Sequence, residues 1–385
     1  MKLTFCCQLF YPELVSTGQT LTEICEALSK QGHTITVYCA PPTVLHKKEK
    51  VPAKLIYKGI NIERVWTFRF PKLFFWGKLL NHISFFISLF FKCLTAPKHT
   101  HYVMLTNPPF LPFLMLFLSP FKRFTYSVLV FDVYPETLAA SKVLSSSHLI
   151  YRYWQFLNKK VYGKARHIFT IGRCMQGVLK QQLHQSLHRK LKLIDIWADA
   201  ETIQFSRGSK EFRQLWNLES KFIVGYSGNI ARFHDIETII YAAEKLQAHT
   251  DIVFLFVGEG HKKEWARQHA ASHHLSNCYF YPYVERDELG ALLDCFDIGL
   301  VSLLPSQTGL SVPSKTMGLI AAEVPIIALM DTQCEIAQLL VEFQNGFVCP
   351  PENPEILVKT ICHLKDHPQT LAQMKKNSHY ACKNG

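Results

Sequence analysis

With 385 residues the chain is long enough for two domains that each bury a core, and 48% hydrophobic against 19% charged side chains exclude a disordered or fibrous protein. The formal charge of +12 implies attraction to phosphate, whether on nucleic acid, an anionic membrane surface or a phosphorylated small molecule, and does not choose among them. Twelve cysteines without a C-x-x-C spacing, in a chain whose first residues read as a strand and not as a secretory leader, point to reduced cytoplasmic thiols and argue against a disulfide framework or a zinc site.

The run from Lys2 to Phe10 reads as a strand. Gly18 precedes the amphipathic series Leu21, Ile24, Cys25 and Leu28, and this helix stops at Gly32 before a β-branched strand over Thr34–Cys39. A βαβ unit at the start opens a doubly wound domain, whose ligand crevice lies beyond the carboxyl ends of its strands, so the loop Ser16-Thr17-Gly18-Gln19 faces that crevice. No G-x-G-x-x-G occurs, which argues against a dinucleotide cofactor. From Phe68 to Leu94 the aromatics Phe70, Phe74, Phe75, Trp76, Phe85, Phe86, Phe90 and Phe91 are set among Lys72, Lys78 and Lys92. Lys78, Asn81 and His82 interrupt the run, leaving it short of the roughly 20 apolar residues that cross a bilayer. Lys78, Asn81, Ser88 and Lys92 fall near one helical face. The segment is therefore an amphipathic helix, either with aromatics entering a membrane interface and lysines at lipid phosphates, or packed into the first domain's core.

Tyr102–Thr106 is the next strand, closed by Asn107-Pro108-Pro109, and residues 110–121 read as a buried crossover. A strand over Thr125–Phe131 delivers Asp132 to the crevice, where a carboxylate orients a hydroxyl or acts on a proton, or else caps the following helix. Further strands are expected over His167–Ile171 and Leu191–Ile196, the latter followed by Trp197-Ala198-Asp199. His184 and His188, four apart with no metalloprotease glutamate, read as solvent-facing and not as metal ligands.

A polar stretch over about 202–221 has the character of a linker between domains 1–200 and 201–385. Phe222–Ser227 then runs into the turn Gly228-Asn229, with Arg232 and His234 beyond it and a helix over 236–246; backbone amides beside a cation suit a diphosphate. Ile252–Val257 opens into Gly258-Glu259-Gly260, a strand over 277–280 leads to Tyr281-Pro282-Tyr283, and Ile298–Ser302 leads to the stretch Gly309–Lys315. There small residues through Ser314 leave amides open, Lys315 adds a fixed charge, and a helix starting at this point aims its positive end at an anion. Val324–Leu329 returns as a buried parallel strand. The stretch is either a phosphate seat on which the strand ends converge, or an ordinary loop and helix.

Phe10-Tyr11-Pro12-Glu13 with Thr17-Gly18-Gln19, Gly32-His33, Asn107-Pro108-Pro109, Asp132-Val133-Tyr134-Pro135, Trp197-Ala198-Asp199, Tyr226-Ser227-Gly228-Asn229-Ile230, Val257-Gly258-Glu259-Gly260, Asp297-Ile298-Gly299-Leu300 and Val312-Pro313-Ser314-Lys315 stand in one order along the chain. In that order, and over nearly the whole length, they resemble a family 4 glycosyltransferase of the GT-B fold, in the branch that builds O-antigen, capsule and colanic-acid polysaccharides. The resemblance implies an α/β protein of two Rossmann-like doubly wound domains facing a central cleft, the first binding the acceptor and the second a nucleotide sugar. It implies retaining, metal-independent transfer of a hexosyl or aminosugar unit from a nucleotide-diphosphate sugar to a lipid-linked or polysaccharide-precursor acceptor. No cofactor and no nucleic acid take part, and the protein would work in the cytoplasm, peripheral on the inner face of the cell membrane.

By the same resemblance the diphosphate lies near Gly228, Asn229, Arg232 and Lys315 with Gly18 close by, and the base lies near Tyr283 and Val284. Gly258, Ser314 and Gly318 complete the donor set, and Asp132 is the catalytic carboxylate on the acceptor side. The chain departs from the family in three ways. Leu310 and Gly318 stand where many members carry two glutamates, the second binding the ribose; Glu323 stands where glycine is usual; and members continue past Asn377–Tyr380 into a helix that crosses back, without which domain closure is expected to weaken. The first departure leaves open a catalytically degenerate GT-B binding or scaffold protein. A nucleotide-sugar epimerase on the same fold is a further alternative, one that needs acid–base groups in the cleft.

Overall fold

Runs in which every residue is buried, such as Ile252–Val257 and Ile326–Leu329, form parallel strands covered on both faces, because βαβ crossovers place helices above and below the sheet. Residues 1–13, 17–42, 51–70, 75–97, 99–194, 203 and 211–384 are described in a computed structural model of the chain, which divides into two units, Met1–Asp195 and Ile196–Gly385.

The first unit runs β1 (Lys2–Cys6), α1 (Thr17–Lys30), β2 (Thr34–Cys39), β3 (Lys54–Tyr57), β4 (Ile60–Arg64), α2 (Phe75–Thr95) and β5 (His101–Leu105), then α3 (Leu114–Leu118), β6 (Thr125–Val130), α4 (Glu136–Ala140), α5 (Leu149–Lys164), β7 (Ile168–Thr170), α6 (Arg173–Gln182) and β8 (Leu191–Leu193). Its sheet has the order β3-β4-β2-β1-β5-β6-β7-β8. All pairings are parallel except β3 with β4, a hairpin turned at Lys58 and Gly59, which both hold positive φ as a tight hairpin turn demands. Phe5 on β1 lies opposite Val37 on β2 and Val103 on β5, at the middle of this unit's core.

α2 corrects the expected amphipathic face. Asn81 and Ser84 point inward, where Asn81 Oδ1 accepts from the Phe70 amide at 2.9 Å and its Nδ2 donates to the Phe70 carbonyl at 3.0 Å. Ser84 Oγ accepts from the Phe68 amide and lies 3.0 Å from Thr67 Oγ1. Phe85 is fully buried, and Phe86 and Phe90 pack edge-on against Phe117 and Phe121, so these three are packing side chains. The outward stripe is instead Trp76, Leu80, Ile83, Ile87 and Phe91, all exposed and spaced three or four apart. Polar groups turn inward because the chain at 67–70 presents backbone groups there that need partners. Residues 110–121 are likewise not a buried crossover throughout: Phe117 and Phe121 are 57% and 70% exposed. Ser16, Lys72, Phe74 and Trp197-Ala198-Asp199 lie outside the described residues.

The second unit runs α7 (Glu211–Leu215), β9 (Phe222–Ser227), α8 (Ile236–Lys245), β10 (Ile252–Val257), α9 (Lys263–Ser272), β11 (Cys278–Tyr281), α10 (Leu289–Asp294) and β12 (Ile298–Ser302), then α11 (Lys315–Ala321), β13 (Ile326–Leu329), α12 (Glu335–Phe343), β14 (Gly346–Cys349), α13 (Pro354–Asp366) and α14 (Pro368–Asn384). Its parallel sheet has the order β11-β10-β9-β12-β13-β14, with one apolar cluster including Ile223, Leu255 and Val301 and another including Val224, Phe254 and Leu300. These alternate residues along each strand sort onto opposite faces. The polar stretch expected to be a linker is partly packed: Phe212 and Leu218 are buried, Trp216 stacks on Tyr281 at 4.0 Å, and Arg213 bonds Asp297 at 2.8 Å.

Candidate functional site

Counting the second unit's strands from one, the sheet order is 3-2-1-4-5-6, and in open sheets of this kind ligands sit beyond the carboxyl ends at the point where the order reverses. That point lies between β9 and β12. The turn after β9 carries Gly228, Asn229 and Arg232, and the chain leaving β12 reaches Ser314 and Lys315.

Two glycine turns are locked together here. Gly228 N–H donates to Val257 O at 2.9 Å, and Ile230 N–H donates to Glu259 O at 2.9 Å. Gly258 holds φ +146°, and a Cβ built on it would stand 2.0 Å from the Gly228 carbonyl oxygen, so this approach admits only glycine. Lys263 fastens the same turn from below: its Nζ donates to Gly258 O at 2.7 Å and to Tyr281 O at 2.9 Å, and pairs with Glu259.

Lys315 reaches across from the first residue of α11. Its Nζ donates to Asn229 O at 3.2 Å and sits 3.6 Å from the centroid of the Tyr226 ring, a cation–π position. A carbonyl and a ring compensate its charge, with no carboxylate partner among the described residues, and burial pulls the ammonium well below the ordinary lysine range. Beneath it, Tyr226 Oη lies 2.7 Å from His234 Nδ1 and 3.2 Å from Asn229 O. The Ala231 amide also points at His234 Nδ1, at 3.3 Å. An amide nitrogen only donates, so Nδ1 is the unprotonated ring nitrogen. Burial, and then Lys315, hold the imidazole well below its usual range and keep it neutral.

Arg232 is exposed beside this turn, without a bonded partner among the described residues. Tyr283 sets its hydroxyl against the Glu259 backbone, which brings it to the Gly258 turn, and Val284 packs against the core. Ser314 is exposed at the N-cap of α11. The expectation of open amides there is corrected in part: Thr316 N–H donates to Pro313 O and Met317 N–H to Ser314 O, and α11 is only seven residues long. Gly318 lies on α11 where a Cβ would meet Leu293 at 3.5 Å and Ile203 at 3.9 Å, so its surroundings are apolar. Leu310 is buried. The sequence reading names Tyr226 and His234 beside the Gly228 turn without giving either a role and does not name Lys263, which only its nearness to Gly258 could have marked.

In the first unit the same rule places a crevice at the ends of β1, β5 and β6. Gly18 is buried near the start of α1, where a Cβ would press on Glu13 O at 2.7 Å, and Thr17 Oγ1 accepts from Asn107 Nδ2 at 3.0 Å. Thr106 Oγ1, beyond β5, accepts from the amides of Phe131 and Asp132, tying Asp132 to this set. Asp132 is not a helix cap, since the N-cap of α4 is Pro135. Its carboxylate has no hydrogen-bond partner among the described residues, and burial pushes its pKa up to about 6. Among the described residues no three His, Cys, Asp or Glu side chains gather where they could hold a metal ion, and all twelve cysteines are free thiols.

Residues 208–380 match the family described as glycosyl transferases group 1. A Pseudomonas aeruginosa protein named "Probable glycosyltransferase WbjE" is 30% identical over 255 residues, 65% of this chain and 63% of its own length. WcaI of Escherichia coli, named for colanic acid biosynthesis as a glycosyl transferase, is 32% identical over 144 residues, 37% of this chain and 35% of its own. The chain thus spans less than two thirds of the curated relatives it matches. Among solved structures, sucrose-phosphate synthase from Thermosynechococcus elongatus superposes with a TM-score of 0.75 at 13% identity, covering 100% of this chain and 94% of that one. WaaG, a glycosyltransferase involved in lipopolysaccharide biosynthesis, gives 0.71 at 15%, covering 100% and 95%, and HepE of Anabaena in complex with UDP-glucose gives 0.73 at 14%, covering 99% and 94%. At such identities the likeness is one of fold, and the fold is GT-B, built from two Rossmann-like units.

Proposed function

We propose, from the match of residues 208–380 to the glycosyl transferases group 1 family, that the protein transfers a sugar from a nucleotide-diphosphate donor to a growing glycan. The observation that carries this reading is Lys315, an ammonium held by a carbonyl and an aromatic ring at the switch point of the sheet, beside the backbone of two interlocked glycine turns. A diphosphate supplies the negative charge that this cation lacks, and Arg232 reaches the same anion from the surface. As the glycosidic bond breaks, charge grows on the departing diphosphate, and fixed cations stabilise it without reorganising. HepE was solved with UDP-glucose, which supports a nucleotide sugar as the donor class.

The finer parts of the proposal follow the sequence resemblance. Transfer retains the anomeric configuration and uses no metal, the transferred unit is a hexosyl or aminosugar, and the acceptor is lipid-linked, handled by the first unit at the inner face of the membrane. Asp132 there takes or orients the acceptor hydroxyl's proton.

Calorimetric titration of uridine, guanosine and adenosine diphosphate sugars against the purified chain tests the reading. One base should bind, and Lys315→Ala should weaken it. The rival reading, a degenerate scaffold, rests on Leu310 and Gly318, which offer no side-chain acceptor for a ribose; absence of binding to all three donors would select it.

A further inference from the structure

The charge of the chain is unevenly shared. Met1–Asp195 holds 26 lysines and arginines against 8 acidic residues, a net +18, while Ile196–Gly385 holds 16 against 22, a net −6, and the two together make the +12 of the whole. On this basic unit the outward stripe of α2 is apolar, and Phe117 and Phe121 beyond it extend the same surface through their packing on Phe86 and Phe90. Between them opens a cavity of about 310 Å³ lined, among the described residues, by Ile83, Phe86, Phe110, Phe113 and Phe117. Exposed basic side chains flank these residues in the sequence: Arg69 lies between the exposed Phe68 and Phe70, and Arg123 follows closely on Phe121.

We propose that this face of the first unit docks on the anionic surface of a lipid bilayer. The stripe of α2, with Phe117 and Phe121, enters the interface, the cavity receives one acyl chain, and Arg69 and Arg123 meet headgroup phosphates. Apolar side chains alone fit other occupants, and the charge selects this one. A second copy seated on the same face would bring two units of +18 together, whereas anionic headgroups compensate that charge. The seating is superficial, because no helix among the described residues is long and apolar enough to cross a membrane. The polarity of α2 fits this too: Asn81 and Ser84 spend their hydrogen bonds inside, which leaves the outward stripe with little to offer water. The proposal extends the reading of a lipid-linked acceptor, and its test uses neither donor nor acceptor, so the two readings fail separately.

The test is flotation of the full chain with phosphatidylglycerol vesicles and with phosphatidylcholine vesicles. Binding is expected to the former, weaker binding to the latter, and a several-fold loss between low and high salt. Ile87→Glu with Phe91→Glu, at positions 51% and 61% exposed, should lower partitioning about tenfold or more while leaving the circular-dichroism melt in place. Val341→Glu, at a position 70% exposed on the second unit, should bind like the parent. Should the double variant melt early, quenching by brominated acyl chains decides, since Trp76 should be quenched relative to Trp76→Phe. Undiminished binding by a folded double variant, equal binding to both lipids, or no quenching of Trp76 would overturn the proposal. So would a concentration-dependent dimer that the double variant abolishes in a chain that binds no vesicles.

Discussion

Replacing Lys315 with methionine keeps a chain of similar length over the Tyr226 ring and removes only the charge, so it separates the cation's two effects. In the free protein the ammonium is costly: burial depresses its pKa well below the ordinary 10.5, and its compensation is one carbonyl at 3.2 Å and one ring at 3.6 Å. With donor bound it gains a diphosphate, and a hydrogen bond to a charged group is worth about 1.5–3 kcal/mol, a factor of about 10–150 in Kd. Lys315→Met should therefore leave the donor-free melting temperature unchanged or raised, and weaken the donor by that factor. The pH responses carry the same signature. A lysine whose folded pKa is lowered binds fewer protons folded than unfolded, so stability without donor rises with pH from that lowered pKa up to about 10.5. Donor affinity moves the other way, because the ammonium is lost over the same rise. Calorimetry in buffers of different ionisation enthalpy should show proton uptake on binding that Lys315→Met abolishes. Unchanged donor affinity in a folded Lys315→Met protein refutes the phosphate seat.

Three substitutions test other parts of the site. Gly258→Ala adds a Cβ 2.0 Å from Gly228 O at φ +146°; strain plus overpacking should cost roughly 2–5 kcal/mol, read as a lowered thermal transition and lost donor affinity, and a melt equal to the parent's would mean the two turns are not interlocked. Asp132→Asn should reduce turnover with donor affinity intact, and the limb of the rate profile near pH 6, set by the carboxyl that burial pushes up to about 6, should disappear; an equal loss of donor binding would place Asp132 on the donor. Glu323→Gly should gain up to about 2 kcal/mol in urea unfolding, because a left-handed residue at φ 56° costs about 1–2 kcal/mol and its half-exposed contact with His379 returns less than about 1 kcal/mol; a net loss would show that contact to be the stronger term.

Glu323 also shows how far the sequence could be read. Its departure from the family's glycine was visible, but the backbone conformation that makes glycine usual there, and the His379 contact from α14, depend on a helix 56 residues away. The strand-to-turn transitions at Gly228 and Gly258 were legible because buried parallel strands are continuous apolar runs that end at glycine. The β3–β4 hairpin was not, since its strands are short and its outer strand half-exposed, although the Lys58-Gly59 turn was a signal for it. α2 was read in the wrong rotation for a physical reason. Periodicity finds a polar face and an apolar face, but only the neighbouring chain decides which is inside, and here the backbone at 67–70 needed the hydrogen bonds of Asn81 and Ser84.

Salt should divide the two phosphate-seeking surfaces. The unit that holds Lys315 has a net charge of −6, so the field around it repels a nucleotide diphosphate, and the attraction is local to Lys315 and Arg232. Screening weakens the exposed Arg232 contact, but it also weakens that repulsion, and it reaches the half-buried Lys315 least. These effects oppose one another, so donor affinity should change by no more than about threefold between 0.05 and 0.5 M salt. The first unit, at net +18, has no such cancellation, and its attraction to anionic vesicles should fall steeply over the same range. A donor affinity that falls as steeply as vesicle binding would mean that surface charge, and not Lys315 over Tyr226, holds the diphosphate.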